Sequence, residues 1–279
     1  MNPAGRCRTL WLSHHSLRYA SMEERVAAAA CAGLDGIGLS LRAYRRWLRD
    51  GHSDAELTDI LGRHEQRLVE LEALLGWAQS GEQRDRAAAD EELAFHLADT
   101  FGPTYLQAIG PYDDTIDDVV EDYAALCDRA SAHQLTVGIE FLPFTNIPDL
   151  TTAAGIAGRA NRDNGGICVD AWHFFRGTAD FDALAAIPGE LIANIQINDG
   201  PLEPEDDDYL ADCLTNRRCP GDGEFDLDRF MRTIAATGCT APISIEVIST
   251  SLQEQPARAA TERMVKSTRQ LLDSIGTDR

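Results

Sequence analysis

Short apolar, β-prone segments alternate with helical segments along the chain, and this alternation restricts the fold more than any other feature of the sequence. The predicted strands are Thr9–Ser13, Gly36–Leu39, Leu68–Leu75, Tyr105–Ile109, Thr136–Phe141, Ile167–Asp170, Ala193–Ile197 and Pro242–Ile248. The predicted helices are Met22–Ala32, Asp54–Arg67, Asp90–Asp99, Thr115–His133, Asp149–Arg162, Asp226–Ala236 and Glu254–Ser274. Several strands are apolar almost throughout, which is typical of strands buried on both faces of a parallel sheet. Consecutive βαβ units with right-handed crossovers are therefore expected.

Eight such units match the size of one (β/α)8 TIM barrel, which belongs to the α/β class. A doubly wound open sheet is the alternative, but no G-x-G-x-x-G motif follows the first strand. No composition break or Pro- or Ser-rich linker divides the chain, so we expect a single domain over residues 1–279. Arg42–Ser53 and Asp199–Glu224 are long for barrel loops, and long loops after barrel strands usually build the site or cover it.

The charge balance excludes several classes of partner. Asp and Glu total 46 against 25 Lys and Arg, which gives a net charge of −21. A field of this sign repels phosphate backbones and anionic membrane surfaces, so no nucleic acid and no membrane is expected as a partner. The seven cysteines form no C-x-x-C motif, and the N-terminal segment lacks the apolar core of a signal peptide. These features predict a cytoplasmic protein with reduced thiols and a small-molecule substrate.

Polar residues interrupt four apolar strands near their carboxyl ends, where the reactive groups of a TIM barrel lie. They are Glu140 in GIEF, Asp170 in CVDAWH, Gln196 in IQIND and Glu246 in ISIEV. A carboxylate in such a strand is unfavourable to bury unless it is paired or bound to a cation. Three carboxylates and one amide oxygen that converge on one cavity suit a hard divalent ion. The sequence therefore predicts a metal site at these four residues.

Each of these residues also has an ordinary structural explanation. Glu140 could be a buried acid paired with an arginine, Asp170 could cap the following helix, and Gln196 could bond within the core. Taken together, at matching strand positions, the four residues favour the metal site. His173 lies three residues after Asp170, and orienting a substrate and filling a structural position are both open for it.

The order of these residues resembles that of the xylose-isomerase-like barrel superfamily of sugar phosphate isomerases and epimerases. The resemblance rests on Glu140 in GIEFLP, Asp170-x-x-His173, the QIND segment at 196–199, the RRCPGDG loop at 217–223 with Phe225 and Asp226 behind it, and Glu246 in SIEV. Together with the early AGLDGIGL segment, these motifs cover nearly the whole chain. The combination is specific for the superfamily and not for a substrate.

The resemblance implies a divalent metal ion held by Glu140, Asp170, Gln196 and Glu246. Many members have His where this chain has Gln196, and members similar to hydroxypyruvate isomerase and inosose dehydratase accept Gln there. The Gln favours an oxygen-preferring ion, so Mn²⁺ or Mg²⁺ is expected, with Co²⁺ or Zn²⁺ as alternatives. By the same resemblance, Glu140 and Glu246 would face each other across the metal as the catalytic pair. The resemblance also allows a homodimer or a homotetramer.

Substrate oxygens would be bound, by the same resemblance, by His173 and an arginine of the RRCPGDG loop. Arg217 or Arg218 could hold a carboxylate or phosphate through a bidentate contact, and the alternative is that both arginines neutralise the acidic loop before them. Among the other strands, Glu72 is the better candidate of the pair Glu70 and Glu72, which should share one face of the third strand.

Two further segments could contribute to the site. His14 and His15 follow the first strand, and one of them could reach the pocket; His14 is our candidate, with a loop surface position as the alternative. The Arg42–Arg49 run contains four arginines with Tyr44 and Trp47. It is similar to an anion-binding or interface loop, and a solvated helix face is the other interpretation.

The predicted reaction is isomerisation or epimerisation of a small polyhydroxy carbonyl compound. Such reactions begin with removal of a proton next to the carbonyl, and a divalent ion on the substrate oxygens stabilises the resulting enediolate. A carboxylate accepts the proton, and a second acid returns it. A dehydratase, or lyase, acting on a cyclic keto-polyol would use the same site. A DNA-repair endonuclease of the same superfamily is disfavoured by the seven histidines and the net charge of −21. A non-catalytic barrel would bind no metal.

Overall fold

Eight strands pair in the order of the sequence, each parallel to the next, and the first pairs with the eighth to close a barrel. The computed structural model describes residues 8–276, so the predicted thiol at Cys7 lies outside the described residues. The strands β1 to β8 are Leu10–Leu12, Gly36–Ser40, Leu68–Leu75, Tyr105–Ile109, Thr136–Glu140, Gly165–Asp170, Ile192–Ile197 and Ile243–Ile245. All eight predicted strands are present, and the closed (β/α)8 barrel confirms the predicted fold class.

Twelve α-helices are present within residues 8–276. Helices α1 to α12 are Met22–Cys31, Leu41–Arg49, Asp54–Arg63, Gly81–Phe101, Ile116–Ser131, Leu150–Ala160, Ala171–Arg176, Phe181–Ala186, Tyr209–Thr215, Leu227–Ala236, Thr250–Gln253 and Ala257–Gly276. Ser21 and Glu24 form a capping box at the start of α1, where the side chain of each accepts a backbone N–H of the other. No helix in this part of the chain combines the length and apolar composition needed to cross a membrane.

The prediction of a long loop at Arg42–Ser53 was wrong, because helix α2 occupies most of this segment. The Ser40 side chain accepts the Ala43 N–H at 3.4 Å and so caps the helix at its start. Leu41 and Tyr44 are buried against the barrel and fix one side of the helix, while its arginines stay exposed. The solvated-helix interpretation therefore describes the conformation of this segment.

The expected loop Asp199–Glu224 also contains a short helix, α9, which follows the stretch of Asp and Glu residues in the first half of that loop. The Asp208 carboxylate accepts the Ala211 N–H at 3.0 Å and caps it. The third predicted helix segment, Asp90–Asp99, is part of the longer α4. The first turns of α4 were not predicted, because their apolar residues are small alanines and the apolar periodicity that indicates a helix is weak there.

The barrel interior contains polar side chains because β2 leaves room for them at Gly38. A Cβ atom at this position would lie 2.2 Å from Glu72 Oε1 and 3.0 Å from Glu70 Oε2. Both glutamates are fully buried, as their shared face on β3 predicted. The absence of a side chain at Gly38 therefore lets two carboxylates enter the barrel beneath its mouth.

Candidate active site

The predicted metal-binding residues meet at the carboxyl-terminal mouth of the barrel. Glu140 and Asp170 are the last residues of β5 and β6, and Glu246 directly follows β8. Gln196 lies in β7, opposite Asp170 in the strand register. All four side chains are at most 5% exposed. The parallel sheet thus brings four distant segments to one edge.

Glu140, Asp170 and His173 form the most compact group of potential metal ligands. One ligand atom from each lies within 4.8 Å of the other two, and all three residues are buried. His173 Nε2 lies 3.3 Å from Glu140 Oε1 and 3.4 Å from Asp170 Oδ2. This buried Glu/Asp/His triad is a candidate site for a divalent metal ion, because carboxylate and imidazole donors suit such ions.

Gln107 of β4 connects the triad to the predicted amide ligand. Its Nε2 donates to Glu140 Oε2 at 2.6 Å and lies 3.4 Å from Gln196 Oε1. The Cys168 thiol also lies 3.3 Å from Gln196 Oε1, whereas Gln196 Nε2 is buried with no hydrogen-bond partner. A buried unpartnered N–H group is unfavourable, so this side chain has donor capacity that a bound group could use.

Arg217 joins the triad to Glu246. Its Nη1 lies 2.8 Å from Asp170 Oδ2 and 3.0 Å from Glu246 Oε2, and the side chain is only 1% exposed. The other guanidinium nitrogens bind the Cys213 carbonyl and thiol. Arg217 is thus fixed in position by contacts on all sides.

The loop that carries Arg217 is anchored on the Asp199 carboxylate. This carboxylate accepts the backbone N–H groups of Gly200, Gly221, Gly223 and Phe225 at 2.8 to 3.1 Å. A Cβ atom at Gly223 would lie 2.2 Å from Asp199 Oδ1, so only glycine allows this approach. The QIND and RRCPGDG motifs are therefore one structural unit, in which Asp199 shapes the loop.

The acidic residues of the site ionise differently. Burial opposes ionisation of Asp170, but the charge of Arg217, together with the nearby His173 ring, outweighs it and holds the pKa of this carboxyl below its usual value. Hydrogen bonds from Asn198 and the Trp172 backbone act in the same direction. Asp170 is therefore a carboxylate at neutral pH.

Glu246 shows the opposite behaviour. Burial raises the pKa of its carboxyl well above the usual value, Arg217 opposes this shift, and Asp170 and other nearby carboxylates reinforce it. Ser13 Oγ lies 2.9 Å from Glu246 Oε1 and 3.1 Å from Glu72 Oε2. One hydroxyl hydrogen cannot serve both carboxylates at once, which agrees with a proton on one of them.

Glu70 and Glu72 form a second acidic layer below the mouth. Glu70 accepts hydrogen bonds from Asn194 at 2.8 Å and Ser244 at 2.6 Å, and burial raises its pKa to about 7. Burial and the charge of Glu70 raise the pKa of Glu72 well above its usual value. Glu72 also accepts the His14 backbone N–H at 2.8 Å. The predicted substrate residue Glu72 thus lies within the barrel under Glu246.

A cavity of 140 Å³ opens at the mouth, and only some of the predicted substrate-binding residues line it. His173 and Arg217 line it together with Glu140 and Glu246. His15 lines it as well, whereas His14 lines a different cavity between the start of α1 and α2. Burial lowers the His15 pKa to about 4, so its ring is neutral near pH 7.

Arg218 lies away from this cavity. It is 36% exposed and contacts Glu205 Oε1 at 2.7 Å. That carboxylate belongs to the acidic run before α9, which matches the alternative role of neutralising the loop. The two adjacent arginines therefore occupy different environments, one in the mouth and one at the surface.

Sequence reasoning missed Gln107, Ser13 and Tyr209. Gln107 is a polar residue in the apolar strand YLQAI, which is the same signal that identified Gln196. Ser13 follows a short strand and gave no such signal. Tyr209 begins α9 and places its hydroxyl 2.7 Å from His173 Nδ1 in α7, a contact between two short helices that no spacing predicts.

Comparison with known proteins agrees with this geometry. The family model described as "Xylose isomerase-like TIM barrel" matches residues 26–271. The chain belongs to this family. Within the xylose isomerase-like family, the 3-dehydroshikimate dehydratase of Pseudomonas aeruginosa is 31% identical over 143 residues, covering 50% of this chain and 22% of the relative. This chain therefore spans only a minor part of that relative's length.

Two other similarities extend over most of the barrel. An inosose isomerase of Bacillus velezensis is 22% identical over 241 residues, 82% of each chain. The crystal structure of the IOLI protein, which has a bound zinc atom, superposes with a TM-score of 0.86 at 19% identity. That superposition covers 96% of this chain and 99% of the other, and it establishes that the two share a fold.

Proposed function

We propose that this protein is a divalent-metal-dependent isomerase or epimerase of a small polyhydroxy carbonyl compound. The observation that carries the proposal is the group of three buried acidic side chains at the barrel mouth, of which Asp170 and Glu246 contact Arg217 and Glu140 contacts His173. Ionising all three beside one guanidinium would leave excess negative charge in a buried place. A divalent cation offsets that excess and explains why the acids are gathered there.

The residues present fit such an ion. Glu140 and Asp170 belong to the triad whose ligand atoms lie within 4.8 Å of one another, and the Gln196 amide oxygen is placed near Glu140 by their shared contact with Gln107. We propose Glu140, Asp170, Gln196 and Glu246 as the ligands, with Mn²⁺ or Mg²⁺ preferred for the oxygen donors. When bound, the ion polarises a substrate carbonyl and stabilises negative charge on its oxygens.

Glu140 and Glu246 are proposed to move protons. Each is oriented by groups that keep one carboxylate oxygen occupied, Gln107 for Glu140 and Ser13 for Glu246. A carboxylate in one position takes the proton next to the carbonyl, and a carboxyl group in the other returns one. The raised pKa of Glu246 favours the acid role for it in the metal-free protein.

His173 and Arg217 are proposed to bind substrate oxygens. His173 Nε2 points at the two carboxylates of the triad, and Tyr209 holds the opposite ring nitrogen. His173 and Arg217 line the mouth cavity, where a substrate oxygen would replace a carboxylate as acceptor for one of their N–H groups. A hydroxyl or carbonyl oxygen in the cavity would therefore find donors on one side and carboxylates on the other.

Dehydration is the second candidate reaction, and a specific observation favours it. The relative at 31% identity is named a 3-dehydroshikimate dehydratase. Proton removal next to a carbonyl is common to both reactions, and they differ in whether a hydroxyl leaves. The same carboxyl group that returns a proton to carbon would then protonate the leaving hydroxyl.

Metal titration is the first test. Isothermal titration of metal-free protein with Mn²⁺ should show one site, and Glu140→Gln or Glu246→Gln should weaken it by at least tenfold. Glu92→Gln, on the exposed side of α4, is the control and should bind as the wild type does. Wild-type protein that takes up no divalent ion would contradict the proposal.

Reaction in D2O with Mn²⁺ distinguishes the two outcomes. NMR of inosose incubated with the protein should show deuterium at an intact carbon skeleton if the reaction is isomerisation. NMR of 3-dehydroshikimate should show loss of water if the protein is a dehydratase. Exchange in neither compound, with metal bound, would exclude these substrates and direct the search to the substrate class argued below.

A further inference from the structure

Helix α2 presents four arginines on one face beside the barrel mouth. Arg42, Arg45, Arg46 and Arg49 occupy positions i, i+3, i+4 and i+7, which point to the same side of a helix. All four are exposed, and all four line a cavity of 570 Å³ together with Ser40 and the end of β3. In a chain with a net charge of −21, this is a local concentration of positive charge.

Three of these arginines have no carboxylate partner. Arg45 contacts Asp90 Oδ1 at 2.5 Å, and no ion pair is formed by Arg42, Arg46 or Arg49 within residues 8–276. Like charges four residues apart destabilise a helix, and α2 contains two such pairs. The face is therefore unfavourable by itself, and a bound anion would offset the repulsion.

The arginine cavity adjoins the barrel mouth. His15, Ala73 and Ile109 line both this cavity and the mouth cavity that contains Glu140 and His173. The arginine side has 570 Å³ against 140 Å³ at the mouth, so it has room for the part of a substrate remote from the ligand cluster. A single small molecule could contact both.

The two ends of this combined cavity have opposite charges. The one guanidinium at the mouth, Arg217, is already engaged by Asp170 and Glu246, whereas the α2 face offers arginines with no ion-pair partner among residues 8–276 to an anionic group. Guanidinium groups bind carboxylate and phosphate oxygens through two parallel hydrogen bonds. Charge alone would therefore orient a substrate, with its anionic end at α2 and its carbonyl end at the carboxylates.

We propose that Arg42, Arg46 and Arg49 form an anion subsite of the active site, and that the substrate is a polyhydroxy carbonyl compound bearing a carboxylate or phosphate group. The position of the reacting end rests on the proposed function; the anion subsite rests on α2 itself. The subsite gives the acidic protein a local means of capturing an anionic substrate.

Anion binding to the metal-free protein tests the subsite directly. Inorganic phosphate and malonate are titrated calorimetrically, at low salt, into wild type and into the double variant Arg46→Gln/Arg49→Gln. The matched control is Arg159→Gln/Arg258→Gln, which makes the same change in net charge at exposed positions outside both cavities. The wild type and the control should bind at least one anion saturably, and the α2 variant should bind it at least tenfold more weakly.

The relative affinities for phosphate and malonate show which group the subsite prefers. Equal affinities in all three proteins, or no saturable binding of either anion to the wild type, would overturn the proposal. A wild-type dimer that dissociates in the α2 variant, with no anion binding, would instead assign the face to a contact between copies of the chain. Circular dichroism should show equal helix content, because the substituted residues are exposed and Gln is a good helix former.

This outcome is separable from that of the proposed reaction. The probes contain no ketone or aldehyde, and their binding requires neither metal nor turnover. Failure of the metal titration would leave the anion result unchanged, and absence of anion binding would leave the metal site and the proton transfer untouched.

Discussion

Arg217 and Arg218 are adjacent in the sequence but differ in their exposure to solvent and in the ion pairs that they form. Arg217 is 1% exposed and contacts two buried carboxylates, whereas Arg218 is 36% exposed and contacts one half-exposed glutamate. Removing one partner from a buried ion pair leaves an uncompensated charge, while a surface pair contributes little.

Arg217→Ala should therefore lower the free energy of unfolding of metal-free protein by about 3–5 kcal/mol. Arg218→Ala, the matched control, should lower it by about 1 kcal/mol or less. Urea denaturation followed by circular dichroism measures both. Equal losses in the two variants would show that the buried contacts of Arg217 do not matter to the folded state.

Glu70 makes the stability of the barrel depend on pH. Burial raises its pKa to about 7 in the folded protein, against about 4.3 in an unfolded chain. Between these values the folded state holds a proton that the unfolded state has lost, so stability falls as pH rises through this window and levels off above it.

Glu70→Gln stays neutral and should remove this contribution. The loss of unfolding free energy between pH 5 and pH 8 should be smaller in the variant by about 2–3 kcal/mol. Glu92→Gln, which is exposed, should follow the wild-type curve. Urea denaturation measured across the pH range tests this prediction. Parallel curves of unfolding free energy against pH for Glu70→Gln and wild type would refute the assignment of a raised pKa.

The sequence identified the site residues that break an apolar pattern and missed those that do not. Glu140, Asp170 and Glu246 stand out because a charge within a buried strand needs a partner. Ser13 gave no signal because serine is common after strands, and its position between Glu72 and Glu246 depends on barrel closure. The sequence could not show which of His14 and His15 faces the mouth cavity. The two residues are adjacent, and the 3₁₀ helix in which they lie sets the direction of each side chain.

At the scale of elements, α2 and α9 were the parts that sequence reasoning described least well. Both lie in segments rich in charge, where the apolar periodicity that signals a helix is weak. Their conformations are set by N-caps, Ser40 for α2 and Asp208 for α9, and by a few buried contacts with the barrel. The eight strands were predictable because burial on both faces makes them continuously apolar.

Helix α9 contributes the group that fixes the imidazole ring of the site on its Nδ1 side. His173 Nε2 faces two carboxylate oxygens, so it carries a hydrogen, and the Tyr209 hydroxyl lies 2.7 Å from Nδ1. Tyr209→Phe removes that contact, so the distribution of hydrogen over the two ring nitrogens should change.

Nitrogen-15 NMR of the imidazole ring in metal-free protein reads the tautomer directly. Catalytic rate, once a substrate is known, should fall by roughly 10- to 100-fold, as is usual for loss of a group that orients an active-site ligand. Tyr19→Phe is the control, because Tyr19 is 73% exposed. An unchanged His173 spectrum in Tyr209→Phe would mean that α9 does not set the ring state.

For the whole molecule, metal binding and folding are linked. An ion that binds only the folded barrel stabilises it by about 2.7 kcal/mol at a hundredfold excess over its Kd. For a chain of this length that corresponds to a rise in Tm of roughly 5–10 °C. The proposed site predicts this rise with Mn²⁺ in thermal scans, with reversal by a chelator.

Glu140→Gln should abolish most of that rise, whereas Glu82→Gln should retain it, because Glu82 is 88% exposed on α4. A rise of equal size in both variants would point to general screening of the net charge of −21 in place of a specific site.

The hydrogen bond between Ser13 and Glu246 spans 233 positions of the chain and sits at the seam where β1 meets β8. During synthesis, the N-terminal half of the barrel leaves the ribosome long before β8 exists to pair with it. The first strand must wait with an open edge, and the mouth is incomplete throughout that time. The cluster of buried acids at the mouth is therefore assembled only after Glu246 has been synthesised and β8 has paired with β1.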